Sequence, residues 1–167
     1  PLDSTDINIA GLRVPLESDI TMPLAYFLDS PNVRKLDALG LVRVDQARKF
    51  AGLYMVQPYQ PGKIPVLMVH GLYSSPMTWL DAFTDLRAHP ELRERYQFWF
   101  YLYPSGQPFW DSAADLREHL AEAQRMFDRN DDSASFENMV LVGHSMGGII
   151  SRMVTQDSGD QYWNAVS

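Results

Sequence analysis

One serine lies between closely spaced glycines in residues 143–148, which read GHSMGG. The spacing Gly-x-Ser-x-Gly is typical of a nucleophile elbow, a sharp turn between a strand and a helix that lifts the serine hydroxyl above a sheet. A Cβ at Gly143 or Gly147 would collide with the neighbouring strand or helix in such a turn, and glycine removes that collision. The pattern therefore predicts nucleophilic chemistry at Ser145.

Two backbone N–H groups are candidates to stabilise the oxyanion that an attack by this serine creates. The helix predicted to begin at Met146 directs its unpaired N–H groups and the positive end of its dipole toward the serine. A second donor is expected after an earlier strand, where the sequence reads His70-Gly71-Leu72. The predicted oxyanion hole consists of the N–H groups of Leu72 and Met146, and His70 is expected to support the loop by hydrogen bonds rather than to transfer a proton.

Strand and helix patterns alternate around these residues. Continuous apolar or aromatic runs predict buried strands over 64–69, 98–103 and 139–142, and a helical pattern follows each run. The helix after the second run is expected to begin near Ser112, with Ser112 and Asp115 as a capping box. Three such alternations indicate an α/β fold with a mostly parallel sheet and helices on both faces.

Composition and charge exclude several other classes of protein. Asp and Glu exceed Lys and Arg by 21 to 14, and the net charge of −7 comes without a basic stripe, so nucleic acid is not an expected partner. The apolar runs are far shorter than the ~18 residues of a membrane-spanning helix, and no transmembrane segment is predicted. The absence of Cys excludes disulfides and thiolate metal sites. The acidic cluster Asp128, Asp131 and Asp132 is interpreted as a solvated loop, so neither a metal nor a cofactor is expected.

The sequence resembles the α/β-hydrolase superfamily, and its lipase- and esterase-like members in particular. Two stretches carry the resemblance, PVLMVHGL at 65–72 and GHSMGG at 143–148 with its continuation IISR, and it covers roughly residues 52–157. It implies that Ser145 is the nucleophile and that the sheet has one antiparallel strand near its start, at 52–56. We expect residues 52–167 to be the N-terminal part of an α/β-hydrolase domain. Residues 1–51 are expected to form a lead-in with short helices, one of them at 30–40.

The partners of a serine nucleophile do not follow it in the sequence. A serine hydroxyl needs a general base and the base needs an orienting acid, in the chain order Ser, acid, His for this fold. Asp157 and Asp160 follow Ser145, but no histidine does. Of the upstream histidines, His144 should point away from the serine and His119 is expected on an exposed stretch of helix. We therefore interpret the chain as the N-terminal part of a larger hydrolase, with the fold incomplete.

The leading functional hypothesis is a serine hydrolase that cleaves a carboxylic ester, with lipid-like esters included, through an acyl-enzyme on Ser145. An alcohol or amine acceptor in place of water would make the protein an acyltransferase, and nothing in the sequence distinguishes the two acceptors. A third hypothesis is a catalytically inactive relative that acts as a binding or scaffold protein. The expected partner is a small-molecule ester or lipid substrate.

Overall fold

The computed structural model describes residues 6–15, 44–127, 133–157 and 159. The helix predicted at 30–40, the acidic cluster Asp128, Asp131 and Asp132, and Asp160 lie outside the described residues.

A β-hairpin that is not among the predicted elements occupies residues 6–15. Its strands β1 (Asp6–Ile9) and β2 (Leu12–Pro15) pair antiparallel, with Ile9 opposite Leu12. The turn residues Ala10 and Gly11 both have positive φ, 51° and 85°, as in the two-residue turns that match the twist of a hairpin. Apolar residues alternate with polar ones on both strands, and this period of two was the available signal for the hairpin.

The remaining described elements alternate strands with helices. The strands are β3 (Gly52–Met55), β4 (Ile64–Val69), β5 (Tyr96–Leu102) and β6 (Val140–Gly143). The helices are α1 (Val44–Ala47), α2 (Leu80–Ala88), α3 (Pro90–Arg95), α4 (Phe109–Phe127), α5 (Ser133–Glu137) and α6 (Met146–Thr155). Short 3-10 turns lie at Arg48–Phe50 and Pro76–Trp79.

The four strands from β3 to β6 form one sheet in the order β3-β5-β4-β6. Strand β4 pairs in parallel with both β5 and β6, and its last residue, Val69, lies opposite Tyr101 on one side and Gly143 on the other. Strand β3 pairs antiparallel with β5. The prediction of a mostly parallel sheet with an antiparallel strand near its start is confirmed.

Both faces of this sheet are covered by helices, as predicted. Alternate residues of β4 and β5 point to opposite faces because the side-chain period of a strand is two. One face packs against α4 and α6, with the buried residues Leu67, Val69, Trp99, Tyr101, Leu116 and Ile150. The other packs against α2, with the buried residues Val66, Met68, Phe83, Phe98 and Phe100. A strand buried on both faces needs a continuous apolar run, and this is why β4 was recognisable from the sequence.

The capping box predicted at Ser112 and Asp115 is wrong. Helix α4 begins at Phe109, and the carbonyl of Pro108 accepts hydrogen bonds from the N–H groups of Asp111 and Ser112. The proline has no N–H to leave unpaired at a helix start, so the helix can begin one turn earlier than the serine suggests. Ser112 lies inside the helix, and its buried hydroxyl accepts a hydrogen bond of 2.8 Å from Gln107 Nε2.

In the described ranges, no helix combines the length and the apolar character needed to cross a membrane.

Candidate active site

Ser145 occupies the turn between the end of β6 and the start of α6. Its backbone angles are φ 53° and ψ −123°, a conformation that residues with a Cβ rarely adopt. The turn is closed by two backbone hydrogen bonds of 2.9 Å, from Gly147 N to His144 O and from Gly148 N to Ser145 O. The Ser145 side chain is exposed and forms no hydrogen bond with any described residue. The strained turn therefore presents a free hydroxyl at the carboxyl edge of the sheet.

Two glycines make this turn sterically possible. A Cβ built on Gly143 would lie 2.5 Å from the carbonyl carbon and oxygen of Gly147. A Cβ built on Gly147 would lie 2.8 Å from the carbonyl carbon of Val69, and closer still to the carbonyl oxygens of Val69 and His70. Real Cβ atoms do not approach backbone atoms this closely, so both positions need glycine for the present packing of β6, α6 and β4.

The loop after β4 lies directly against the elbow. A Cβ on Gly71 would lie 3.1 Å from both the Ser145 Cβ and the His144 carbonyl oxygen, and the N–H of His144 donates to Val69 O at 3.0 Å. Neighbouring parallel strands end at the same edge of a sheet, and this is why residues 70–72 and 143–146 meet. Among the described residues, the N–H groups of Leu72 and Met146 have no hydrogen-bond acceptor. Both are therefore free to donate to a ligand.

His70 is completely buried beneath this loop. Its Nδ1 lies 3.0 Å from Gly71 O, and its Nε2 accepts a hydrogen bond of 3.4 Å from the Tyr103 N–H. This pattern assigns the ring proton to Nδ1, since only a donor can bond to a carbonyl and only an unprotonated nitrogen can accept from an amide. Both ring nitrogens are occupied, so His70 is not a free base for Ser145.

The other three histidines are not hydrogen bonded to Ser145 in the described part of the chain. His89 is exposed between α2 and α3, with Nδ1 3.6 Å from Glu91 Oε1. His144 is exposed and faces the loop after β4, where a Cβ on Gly71 would lie 3.0 Å from its Nδ1. His119 is half-buried.

The exposure predicted for His119 is wrong. The residue follows Leu116 by three positions, so it lies on the side of α4 that faces the sheet, and its ring centroid is 5.9 Å from that of Tyr101. Its Nδ1 is buried without a hydrogen-bond partner in the described residues. Asp157, the described acid that follows the serine, is exposed and accepts a hydrogen bond from Gly159 N at 2.9 Å.

Two residues next to the site were not identified from the sequence, Tyr103 and Ser105. The Tyr103 hydroxyl donates to His70 O at 2.8 Å, and Ser105 Oγ accepts a hydrogen bond from Tyr73 N at 3.3 Å. The sequence predicts Tyr103 as the end of a strand and Ser105 as part of the turn after it, and nothing local shows that either contacts residues more than 30 positions earlier. Among the described residues, no cluster of His, Asp and Glu could hold a metal ion.

The parallel strands and the helices on both faces define an α/β protein, in which a strained serine turn lies at the carboxyl edge of the sheet. Residues 66–164 match the model of the alpha/beta hydrolase family, and the chain belongs to that family. The resemblance seen in the sequence is thereby confirmed.

Two solved structures are similar to the chain. They are crystal structures of the Bacillus licheniformis lipase BlEst2 in its mature form and in its propeptide form, each 28% identical over 70% of this chain, with TM-scores of 0.42 and 0.41. The chain spans 41% and 22% of the lengths of those two chains. No curated protein sequence matches it.

Proposed function

We propose that the chain supplies the nucleophile and the oxyanion hole of a serine hydrolase that cleaves carboxylic esters. The observation that carries this proposal is the backbone of Ser145, held at φ 53° and ψ −123° within contact distance of Gly71. Strain of this kind persists only where the surroundings enforce it, and it is concentrated at functional sites. Here it exposes one hydroxyl close to the N–H groups of Leu72 and Met146, which have no acceptor among the described residues.

In the proposed reaction, Ser145 Oγ attacks the acyl carbon of the ester and its proton passes to a general base. The carbonyl electrons move onto the oxygen, and the N–H groups of Leu72 and Met146 stabilise the oxyanion, assisted by the positive end of the α6 dipole. Collapse of the tetrahedral intermediate breaks the ester bond and releases the alcohol, which takes the proton from the base. Attack by water on the acyl-enzyme releases the acid and restores the serine.

The general base of this scheme is not one of the four histidines of the chain, since none is hydrogen bonded to Ser145 among the described residues. The proposal therefore requires a general base other than the histidines in the positions that they occupy here. This same observation is what favours the alternative of a catalytically inactive relative that binds ligands. An acyltransferase would use the same acyl-enzyme and oxyanion hole with an alcohol or amine in place of water.

Apolar side chains at the carboxyl edge support an ester with an apolar acyl or lipid-like group as substrate. Leu72 and Tyr73 are 50% and 68% exposed in the loop beside Ser145. Phe109 and Trp110, which begin α4 after the same end of β5, are also exposed and pack edge to face at 4.9 Å. An apolar ligand placed over the serine would cover such side chains and remove them from water.

A fluorophosphonate probe tests the proposal, because it is attacked only by an activated serine and mimics the tetrahedral intermediate. The full-length protein should be labelled, and Ser145→Ala should abolish labelling and ester turnover together. Ser74→Ala is the matched control, since this serine lies in the neighbouring loop and, within the described residues, its hydroxyl bonds only to the adjacent Ser75 carbonyl. Undiminished labelling of Ser145→Ala would contradict the proposal, whereas a full-length parent that never labels would favour the inactive relative.

A further inference from the structure

The loop after β5 contacts the loop after β4, residues 70–73, at two points, one on each side of Leu72. Residues 103–105 supply one contact from the Tyr103 side chain to His70 and one from the Ser105 side chain to Tyr73. Tyr103 and Ser105 are both buried, at 2% exposure each, so the bond to His70 is shielded from water and the bond to Tyr73 is partly shielded.

Tyr103 and His70 form three interactions, two hydrogen bonds and one ring stack. The phenol donates to His70 O at 2.8 Å, the Tyr103 N–H donates to His70 Nε2, and the two rings stack with centroids 4.3 Å apart and planes 15° apart. His70 Nδ1 in turn bonds to Gly71 O. The orientation of the peptide that precedes Leu72 is therefore determined by Tyr103 through His70.

The contact at Ser105 stabilises an unfavourable backbone conformation. Tyr73 has φ 58°, in the left-handed region that side-chain-bearing residues usually avoid. Its N–H donates to Ser105 Oγ at 3.3 Å, which offsets part of that strain. Without this acceptor, the 72–73 peptide would be free to rotate toward an ordinary conformation and would carry the chain around Leu72 with it.

The β5 loop is itself fixed to α4, so it can act as a rigid support. The N–H of Gln107 donates to Pro104 O at 3.1 Å, and Gln107 Nε2 donates to Ser112 Oγ and to Asp115 Oδ2 at 2.8 and 3.1 Å. Movement of residues 103–105 would break these bonds as well.

We propose that Tyr103 and Ser105 are positioning residues that hold residues 70–73 so that the Leu72 N–H is directed at the oxyanion formed on Ser145. The inference rests on the proposed serine hydrolase function. It adds that the oxyanion hole depends on the loop after β5 as well as on the loops after β4 and β6. Both residues are buried, so neither is open to contact with a substrate. Their removal should therefore affect stabilisation of the transition state and leave binding of the ground state unchanged.

The test compares Tyr103→Phe, Ser105→Ala and Ser145→Ala in the full-length protein. Tyr103→Phe keeps the stacked ring and removes only the hydroxyl. We expect each positioning variant to lower kcat for a p-nitrophenyl ester by about tenfold at unchanged KM, less than the roughly 10²–10³-fold loss on deletion of an oxyanion donor. Tyr54→Phe is the matched control, because it also deletes a tyrosine hydroxyl that donates to a backbone carbonyl, that of Phe50 at 2.6 Å, but on the outer strand β3.

A second readout separates positioning from partial unfolding. Sulfur is a weak hydrogen-bond acceptor, so the hydrolysis of a thionoester gains little from an oxyanion hole. The ratio of kcat/KM for an ester to that for its thionoester reports the oxyanion hole alone, because the folded fraction cancels. We expect this ratio to fall about tenfold in Tyr103→Phe and Ser105→Ala and to remain at the parent value in Tyr54→Phe.

The outcomes distinguish this inference from the function on which it rests. An unchanged ratio in both positioning variants, with Ser145→Ala inactive, overturns the positioning role and leaves the nucleophile assignment intact. A lower kcat with an unchanged ratio also overturns it, since it would show a loss of folded protein only. Full activity of Ser145→Ala would overturn the proposed function and this inference together.

Discussion

Substitution of the two consecutive glycines of α6 should have effects of opposite sign. A Cβ on Gly147 would lie 2.8 Å from the Val69 carbonyl carbon, whereas ordinary contacts of a Cβ begin at 3.4 Å. The start of α6 would therefore have to move away from β4 by at least ~0.6 Å, and further to relieve the carbonyl oxygens. A Cβ on Gly148 would lie 3.5 Å from Gly143 O, an ordinary contact.

The expected magnitudes follow from these distances. Overpacking of this kind destabilises a protein by about 1–3 kcal/mol, and each kcal/mol lowers Tm by roughly 2–4 °C in a chain of this size. Displacement of α6 would also move Ser145 away from Gly71. Misplacement of a reacting group by about 1 Å lowers the rate of the chemical step by about 10²-fold. Gly148→Ala should instead stabilise the helix by about 0.5–1 kcal/mol, since alanine is the better helix former.

Both effects can be measured in the full-length protein. Thermal unfolding monitored by circular dichroism measures the change in stability, and the rate of fluorophosphonate labelling measures the displacement of Ser145. Gly147→Ala should show a lower Tm and labelling slowed by at least about tenfold. Gly148→Ala should match or exceed the parent Tm and label at the parent rate. Equal Tm values for the two variants, or parental labelling of Gly147→Ala, would refute the steric reasoning.

Three further outcomes are expected. Burial raises the pKa of both Tyr101 and Tyr103 above the ordinary value of 10.0, so the folded state keeps protons that the unfolded chain loses. The free energy of unfolding should therefore fall above pH 10, by up to about 1.4 kcal/mol per pH unit for each tyrosine, and urea titrations should show a shallower decline for Tyr103→Phe. The 167-residue chain alone should hydrolyse p-nitrophenyl esters no faster than its Ser145→Ala variant, and a clear excess would reveal a base among the upstream residues. The outer edge of β6 has no partner strand in the described part, and Val140 there is 42% exposed, so the same chain should bind ANS and elute above 19.0 kDa. A sharp monomer peak without dye binding would contradict this last expectation.

The sheet and the turn at Ser145 are predictable because each depends on local sequence. Strand β4 is buried on both faces and so needs the unbroken apolar run that the sequence shows at 64–69. Gly143 and Gly147 are separated by a fixed spacing around Ser145, and the backbone contacts that require glycine arise within that one turn and its neighbouring strand. Such features can be read from residue type and period.

The remaining features depend on contacts between distant parts of the chain. Tyr103 and Ser105 lie 33 and 32 positions from the residues that they support, and no periodicity encodes such a pair. His119 is predicted on an exposed stretch of helix, although its position three residues after Leu116 places it against the sheet. Ser112 is a good capping residue, but Pro108 offers an earlier helix start, and local propensity alone does not rank the two.

The strained residues indicate that the geometry of the site depends on the loops after three strands and not on the serine motif alone. Of the three non-glycine residues with positive φ in the described part of the chain, one is in the hairpin turn, and the other two are Tyr73 and Ser145. These two follow the neighbouring strands β4 and β6, and each is held by contacts from outside its own turn: Ser105 bonds to the Tyr73 N–H, and the His144 N–H bonds to the end of β4. Strain at two adjacent turns persists only if the surrounding structure fixes both. The serine motif after β6 therefore specifies the proposed nucleophile, but the geometry around it depends equally on the loops that follow β4 and β5.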